Sequence, residues 1–211
     1  SSGTLRTPKG TLELSSPLVG DFNAENVAMA AGLALAVGIE KDIIEAALPN
    51  AVTRGRMEPV PNKAGLSVIV DYAHSPDAIT RVIESVRSLT KGTTWLVFGC
   101  GGDRDKAKRP KMATIAARLS DIAILTSDNP RTEEPMSIIK DMVDGLSADL
   151  ERKSMQQVDR KQAIRLASQL AQAGDIILVA GKGHENYQEI HGVKHPFDDK
   201  EILREELIHK R

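Results

Sequence analysis

Residues 66–77, LSVIVDYAHSPD, pass from an essentially apolar stretch into a polar turn and then to a proline set for the start of a helix. A half-exposed strand would alternate apolar and polar residues. A run without alternation describes a strand covered on both faces, as in a parallel sheet. Pro76 suits a first helical position, and Ser75 before it supplies a capping oxygen. The same pattern recurs at TWLVF (94–98), DIAIL (121–125) and DIILVA (175–180). Helices opened by Pro110 and Pro135, and another near 160–172, are expected between these runs. A short strand is expected at MQQV (155–158), and YQEIHGVKHPF (187–197) reads as a hairpin turning at His191-Gly192, with a last helix from about Asp198. The fold class expected is α/β, a Rossmann-like doubly wound, mostly parallel sheet.

In such sheets ligands sit beyond the carboxyl ends of the strands. Four segments occupy that place: DYAHSPD (71–77), GCGGDRDKAKRP (99–110), TSDNPR (126–131) and GKGHENYQ (181–188). All are rich in glycine, charge or histidine, and all should face one rim. TSDNPR is the most pointed. A turn that only had to meet water would not need an acceptor, an amide, a fixed φ and a planar cation in Asp128, Asn129, Pro130 and Arg131; the set suits a small ligand bearing amine and carboxylate groups.

The first fifty residues differ. TLELSSPLVG (11–20) contains a short strand, and DFNAENVAMAAGLALAVG (21–38) places Val27, Ala31, Ala34 and Leu35 on one helical face, with Asp21 or Asn23 as cap and Gly38 as stop. A short helix at EKDIIEAAL (40–48) ends before Pro49. This is too little apolar surface for an independent domain. Residues 1–53 are therefore expected to be the remnant of one domain and 54–211 a second, and the start without methionine reads as a fragment or processed product.

With 41% hydrophobic and 27% charged residues the chain can bury a core. Its net charge of −1 and 3% aromatic content leave little to attract or stack nucleic acid, or to hold an anionic membrane. A single cysteine, Cys100, and no zinc-spaced Cys/His cluster fit a reducing cytoplasm. No apolar run approaches the ~20 residues needed to cross a bilayer.

Several features stay open on residues alone. The glycines of GCGGDRD read as turns needing positive φ or as a ligand loop, but no P-loop motif exists here. Arg104 and Arg109 fit a solvated surface or an ordinary salt bridge as well as a site. His74 and His184 fit structural hydrogen bonding as well as chemistry. Asp71 fits a helix cap or a ribose or metal-bound water, although Ser75 caps more naturally. Asn23 and Asn26, three apart, fit a helix start, and RGRME (54–58) fits a basic linker. Cys100 reads as a small buried thiol.

Taken together, FNAEN, GRME, DYAHSPDA, FGCGGDRDKAKRP, DNPRTEEP and GKGHENYQ resemble, in order and approximate spacing over nearly the whole chain, the carboxyl-terminal part of the Mur ligases, in particular those that add meso-2,6-diaminopimelate in peptidoglycan synthesis. The resemblance implies an ATP-dependent amide-bond ligase. ATP would phosphorylate the D-glutamate γ-carboxylate of UDP-MurNAc-L-Ala-D-Glu, and the diaminopimelate amine would attack the acyl phosphate. It implies that Arg104, Asp128, Asn129, Pro130, Arg131, Gly181 and Glu185 line the amino-acid pocket, the arginines taking carboxylates and Glu185 with the Gly181 carbonyl taking the distal ammonium. It implies that Asn23, Asn26, Arg56, Asp71 and His74 reach ATP, with Arg56, Asp71 and His74 nearest the chemistry. The family's phosphate loop and Mg2+ ligands have no counterpart in these residues, so the chain alone is expected to be inactive. A cytoplasmic monomer is expected. The alternatives are a free-standing, non-catalytic nucleotide or amino-acid binding domain, and a lysine-adding relative.

Overall fold

The computed structural model describes residues 2–18, 20–208 and 210, with the Asp21 side chain left out. The chain divides into two compact units, Ser1–Glu58 and Pro59–Arg211.

The first unit opens with an antiparallel hairpin, β1 (Ser2–Thr7) and β2 (Gly10–Ser15), paired with Leu5 opposite Leu12. Helix α1 (Asp21–Ala36), helix α2 (Lys41–Ala47) and a 3-10 turn (Leu48–Asn50) follow. Leu12, Val27, Ala31, Leu35, Ile44 and Leu48 form its core, with Ala34 packed at the edge. The apolar face expected of α1 is the one it buries. Its start differs from expectation: Gly20 holds the capping position with no side-chain cap bond, and Asn23 is already helical, its N–H donating to the Gly20 carbonyl at 3.0 Å. The cap role expected of Asp21 falls on a side chain outside the described set. Gly38 ends the helix at φ 91°, a left-handed conformation that costs glycine little, and lets the Ile39 N–H close on the Ala34 carbonyl. RGRME is a built turn. Gly55 and Met57 both have positive φ, and the Glu58 carboxylate accepts the Gly55 N–H at 2.7 Å.

From the two-residue strand β3 (Glu58–Pro59) onward the elements alternate: β4 (Ser67–Asp71), α3 (Pro76–Arg87), β5 (Thr94–Cys100), α4 (Lys108–Leu119), β6 (Ile122–Ser127), α5 (Pro135–Val143), the single turn α6 (Ala148–Glu151), β7 (Ser154–Gln157), α7 (Arg160–Leu170), β8 (Ile176–Ala180), the hairpin β9 (Tyr187–Ile190) and β10 (Val193–Pro196), and α8 (Asp199–Ile208). The sheet order is β3-β4-β8-β5-β6-β7, and β4, β8, β5, β6 and β7 are mutually parallel. This is the doubly wound architecture expected. Val68, Val70, Trp95, Val97, Ile124, Ile177 and Val179 pack with Ala163, Ile164, Ala167, Ile202, Leu203 and Leu207 of α7 and α8. The period of two sends the alternate residues, Ile69, Leu96, Phe98, Leu125 and Leu178, to the opposite face, toward α3, α4 and α5, and they are fully or almost fully buried there.

Ser75 caps α3, its hydroxyl accepting the Ala78 N–H at 3.3 Å. Pro135 opens α5. Pro110 does not open α4, which starts two residues earlier, where Asp105 accepts the Ala107 N–H at 3.0 Å and forms the leading turn. Proline is still tolerated there, because the first-turn N–H groups have no partner within the helix. No described helix is long and apolar enough to cross a membrane.

Candidate functional site

Strand register sets four loops side by side. Asp71 lies opposite Ala180, Ala180 opposite Phe98, and Cys100 opposite Ser127, so the segments leaving β4, β8, β5 and β6 reach the same rim. They line a cavity of about 440 Å³, whose walls include Tyr72, His74, Arg104, Asp128, Asn129, Arg131, Gly181 and Glu185.

The glycines at the end of β5 and just beyond it serve close approach rather than left-handed turns. A Cβ on Gly99 would lie 2.4 Å from the Thr126 carbonyl oxygen, and one on Gly102 would lie 1.9 Å from that of Pro130. Only glycine lets the 99–102 backbone run against the 126–130 backbone. The left-handed residue of this loop is Asp103, φ 53°.

The loop after β6 is tied down at every residue. Asp128 accepts the Asn129 N–H at 2.6 Å through its carboxylate and the Gln188 amide at 2.6 Å through its carbonyl. Asn129 Oδ1 accepts both the Lys182 ammonium, at 3.0 Å, and the Glu189 N–H, at 2.9 Å. With its oxygen so occupied, the amide orientation is set, and Nδ2 donates to Glu185 Oε2 at 2.8 Å. Buried Pro130 leads to Arg131, whose φ of 51° is carried by a bridge to β9: its N–H donates to the Glu189 carbonyl at 3.0 Å and its carbonyl accepts the His191 N–H at 2.7 Å. The Arg131 guanidinium donates to the Gly102 carbonyl at 2.7 Å and has Nε 3.5 Å from the Glu189 carboxylate. Arg104 is exposed on the cavity wall and has no hydrogen-bond partner among the described residues. Gly181, φ 114°, has space only for hydrogen, since a Cβ would meet Asp128 Oδ2 at 2.7 Å.

Two charged groups that sequence reasoning left open or missed are buried. Of the two plain readings left open for it, Arg109 takes the salt bridge rather than the solvated surface, and its own side chain is buried. It grips both Glu133 oxygens, at 2.7 and 2.9 Å, and Asp141 at 2.8 Å. The Arg109 hydrogen bonds hold the Glu133 carboxyl down to about 2. Lys182 is fully buried, its ammonium 3.1 Å from Glu185 Oε2 and 5.5 Å from the Tyr187 ring centre. Its signal was present in the sequence: a lysine between two glycines, directly after a buried strand and three residues before an acid. Burial raises the Asp128 carboxyl, with Arg160 and Lys182 pulling the other way. Burial also pushes the Cys100 thiol up to about 12, as an inert structural thiol requires.

Asp71 is buried and accepts the Ala73 N–H at 2.7 Å, bracing the turn that presents exposed His74. His74 Nδ1 meets the Tyr72 carbonyl at 2.8 Å, and the Tyr72 ring centre is 4.6 Å from that of His74 and 5.3 Å from that of His184. Asn23, Asn26 and Arg56 belong to the first unit. There the exposed Asn26 amide reaches the oxygen of buried Asn23 at 3.5 Å, and Arg56 is exposed. Among the described residues no group of three His, Cys, Asp or Glu side chains is placed to hold a metal ion.

A parallel sheet whose carboxyl-end loops build a cavity lined by charged side chains is the setting of the match found for residues 55–183, to the Mur ligase, glutamate ligase domain; the chain belongs to that family. Among its relatives is the UDP-N-acetylmuramoyl-L-alanyl-D-glutamate–2,6-diaminopimelate ligase of Bacteroides thetaiotaomicron, 50% identical over 196 residues, 92% of this chain and 41% of that protein. The ligase of the same name from Gloeobacter violaceus is 46% identical over 99% of this chain and 43% of its own length. A solved structure of a ligase of that name superposes with a TM-score of 0.72 at 40% identity, covering 98% of this chain and 42% of the other. The chain thus spans about two fifths of the length of these relatives.

Proposed function

We propose that this chain is the acceptor-binding portion of a cytoplasmic, monomeric, ATP-dependent ligase that joins meso-2,6-diaminopimelate to the D-glutamate γ-carboxylate of UDP-MurNAc-L-Ala-D-Glu in peptidoglycan biosynthesis. The observation that carries the reading is the meeting of Arg104, Arg131, Asn129 and Glu185 on one cavity from three different loops. Diaminopimelate differs from lysine by a carboxylate on the far carbon, and a guanidinium binds a carboxylate through paired charge-assisted hydrogen bonds. In this reading Arg131, anchored through its backbone to β9, takes the distal carboxylate with Arg104, and Glu185 with the Gly181 carbonyl takes the distal ammonium. Asp128 and Pro130 fix the loop. Holding the far end in this way leaves the near amine to be aimed at its target, and positioning of that kind is a large part of what a ligase supplies.

ATP in this reading supplies the phosphoryl group that activates the γ-carboxylate. Asn23, Asn26 and Arg56 of the first unit, and Asp71 and His74 of the second, are assigned as nucleotide contacts on family resemblance. His74 fits that role, being exposed and oriented by the Tyr72 carbonyl; buried Asp71 fits as the brace behind it. The described residues offer no Mg2+ cluster, and no metal step is assigned to them.

The test is a titration of the isotope-labelled chain with meso-diaminopimelate and with L-lysine, followed by NMR. Shifts at Arg104, Asn129, Arg131 and Glu185 with diaminopimelate only are expected. Arg131→Ala should weaken diaminopimelate binding on the order of 10- to 100-fold while changing lysine little, the size of one lost charge-assisted contact. Equal response to both amino acids in the unsubstituted chain would overturn the acceptor assignment.

A further inference from the structure

The carboxylate assigned to the ligand ammonium already has a cation. Lys182, fully buried, donates to Glu185 Oε2 at 3.1 Å, and Asn129 Nδ2 donates to the same oxygen at 2.8 Å. Glu185 Oε1 has no hydrogen-bond partner among the described residues, so one carboxylate oxygen of this cavity-lining side chain is engaged inside the protein and the other is not. Asn129 cannot turn to offer a second acceptor, because its oxygen is held by Lys182 and the Glu189 N–H. Asp128, the other carboxyl near Lys182, gives one oxygen to the Asn129 N–H. Arg160 is matched by Asp199. The cavity that Glu185 lines is also lined by Arg104 and Arg131.

We propose that Lys182 is a specificity-determining residue: by pairing with Glu185 before any ligand arrives, it devalues a bare ammonium and makes binding depend on a carboxylate beside that ammonium. An amine bound at Oε1 would lie within about 6 Å of the Lys182 ammonium, the range over which like charges disfavour one another. A terminal ammonium alone therefore gains little. An ammonium that brings a carboxylate is compensated by the arginines. Rejection of a simple amine is thus built in as a repulsive element, alongside the attraction of Arg131 for the carboxylate. The inference rests on the acceptor reading above and adds the residue that weights its two halves.

The test dissects the ligand on the unsubstituted chain. Calorimetric or NMR titration compares meso-diaminopimelate with L-lysine, which lacks the distal carboxylate, and with L-2-aminopimelate, which lacks the distal amine. Losing the carboxylate should cost ~10-fold or more and losing the amine less than ~3-fold, as expected when the amine's partner is already paired. Lys182→Met, checked for an intact fold by its amide spectrum, should then raise lysine affinity relative to diaminopimelate by ~3-fold or more, because Glu185 is left without its internal cation. Weaker binding of aminopimelate than of lysine would overturn the inference, as would an unchanged ratio in folded Lys182→Met. If Lys182→Met does not fold, the ligand series on the unsubstituted chain decides. If the unsubstituted chain binds none of the three ligands, the acceptor reading fails rather than the role of Lys182.

Discussion

Arg160 and Asp199 meet through two hydrogen bonds, Nε to Oδ1 at 2.8 Å and a terminal nitrogen to Oδ2 at 2.7 Å, with neither side chain exposed. The pair joins the start of α7 to the start of α8, and Arg160 also donates to the Ala180 carbonyl at 3.0 Å, at the end of β8. Asp199→Ala would leave a buried guanidinium without its counter-charge, which typically costs ~3–5 kcal/mol. Urea denaturation should show that loss as a lower midpoint. A change below ~1 kcal/mol would mean that water reaches Arg160.

Glu133 gives a pH signature. Its folded value, about 2, lies below the ordinary 4.5, so its pairing with Arg109 stabilises the fold above the unfolded value and is lost as pH falls from about 4.5 toward 2. Glu133→Gln should lower stability at neutral pH and flatten the acid limb of a stability–pH curve between those values. Parallel curves for the two proteins would show that Glu133 contributes nothing to acid sensitivity.

Two glycine-to-alanine changes should have opposite signs. In Gly32→Ala the new methyl meets open space within α1, and helix propensity predicts a gain of up to ~1 kcal/mol. Gly102→Ala puts a methyl 1.9 Å from a backbone oxygen and must displace the loop that carries Arg131. Thermal melts of the two variants should move up and down respectively, and Gly102→Ala should also weaken diaminopimelate binding. A melt for Gly102→Ala at the unsubstituted value would mean that the 99–102 and 128–131 loops separate freely.

Cys100 is a ready unfolding reporter. Buried, with its thiol pushed up to about 12, it should resist alkylation by iodoacetamide at pH 8 until the chain opens. Labelling rates should therefore follow urea concentration through the unfolding transition. Rapid labelling of the native chain would contradict the burial described.

The parallel sheet was legible because strands covered on both faces leave unbroken apolar runs; LSVIV, read at 66–70, is the strand Ser67–Asp71. Strand β1 was not, since only Leu5 and Thr7 of its six residues are even partly covered and no apolar rhythm marks it. The turn α6 buries no residue and left no pattern to read. At the site, the loops and most of their polar residues could be placed by the strand-end rule alone. For Arg109 and Lys182 the sequence carried their position but not their burial, which depends on partners brought by other elements: Glu133 and Asp141 for the first, Asn129 for the second. A charge in a sequence looks the same whether its counter-charge arrives in space or not.

The hairpin β9–β10 is attached to the 128–131 loop by four hydrogen bonds, Gln188 to the Asp128 carbonyl, the Glu189 N–H to Asn129, the Arg131 N–H to the Glu189 carbonyl, and the His191 N–H to the Arg131 carbonyl, besides the Arg131–Glu189 ion pair. For anyone grafting the proposed acceptor site, loop and hairpin are therefore one transplantable cassette in two pieces. Moving DNPR into another framework without residues 187–191 would carry over an arginine and lose its aim.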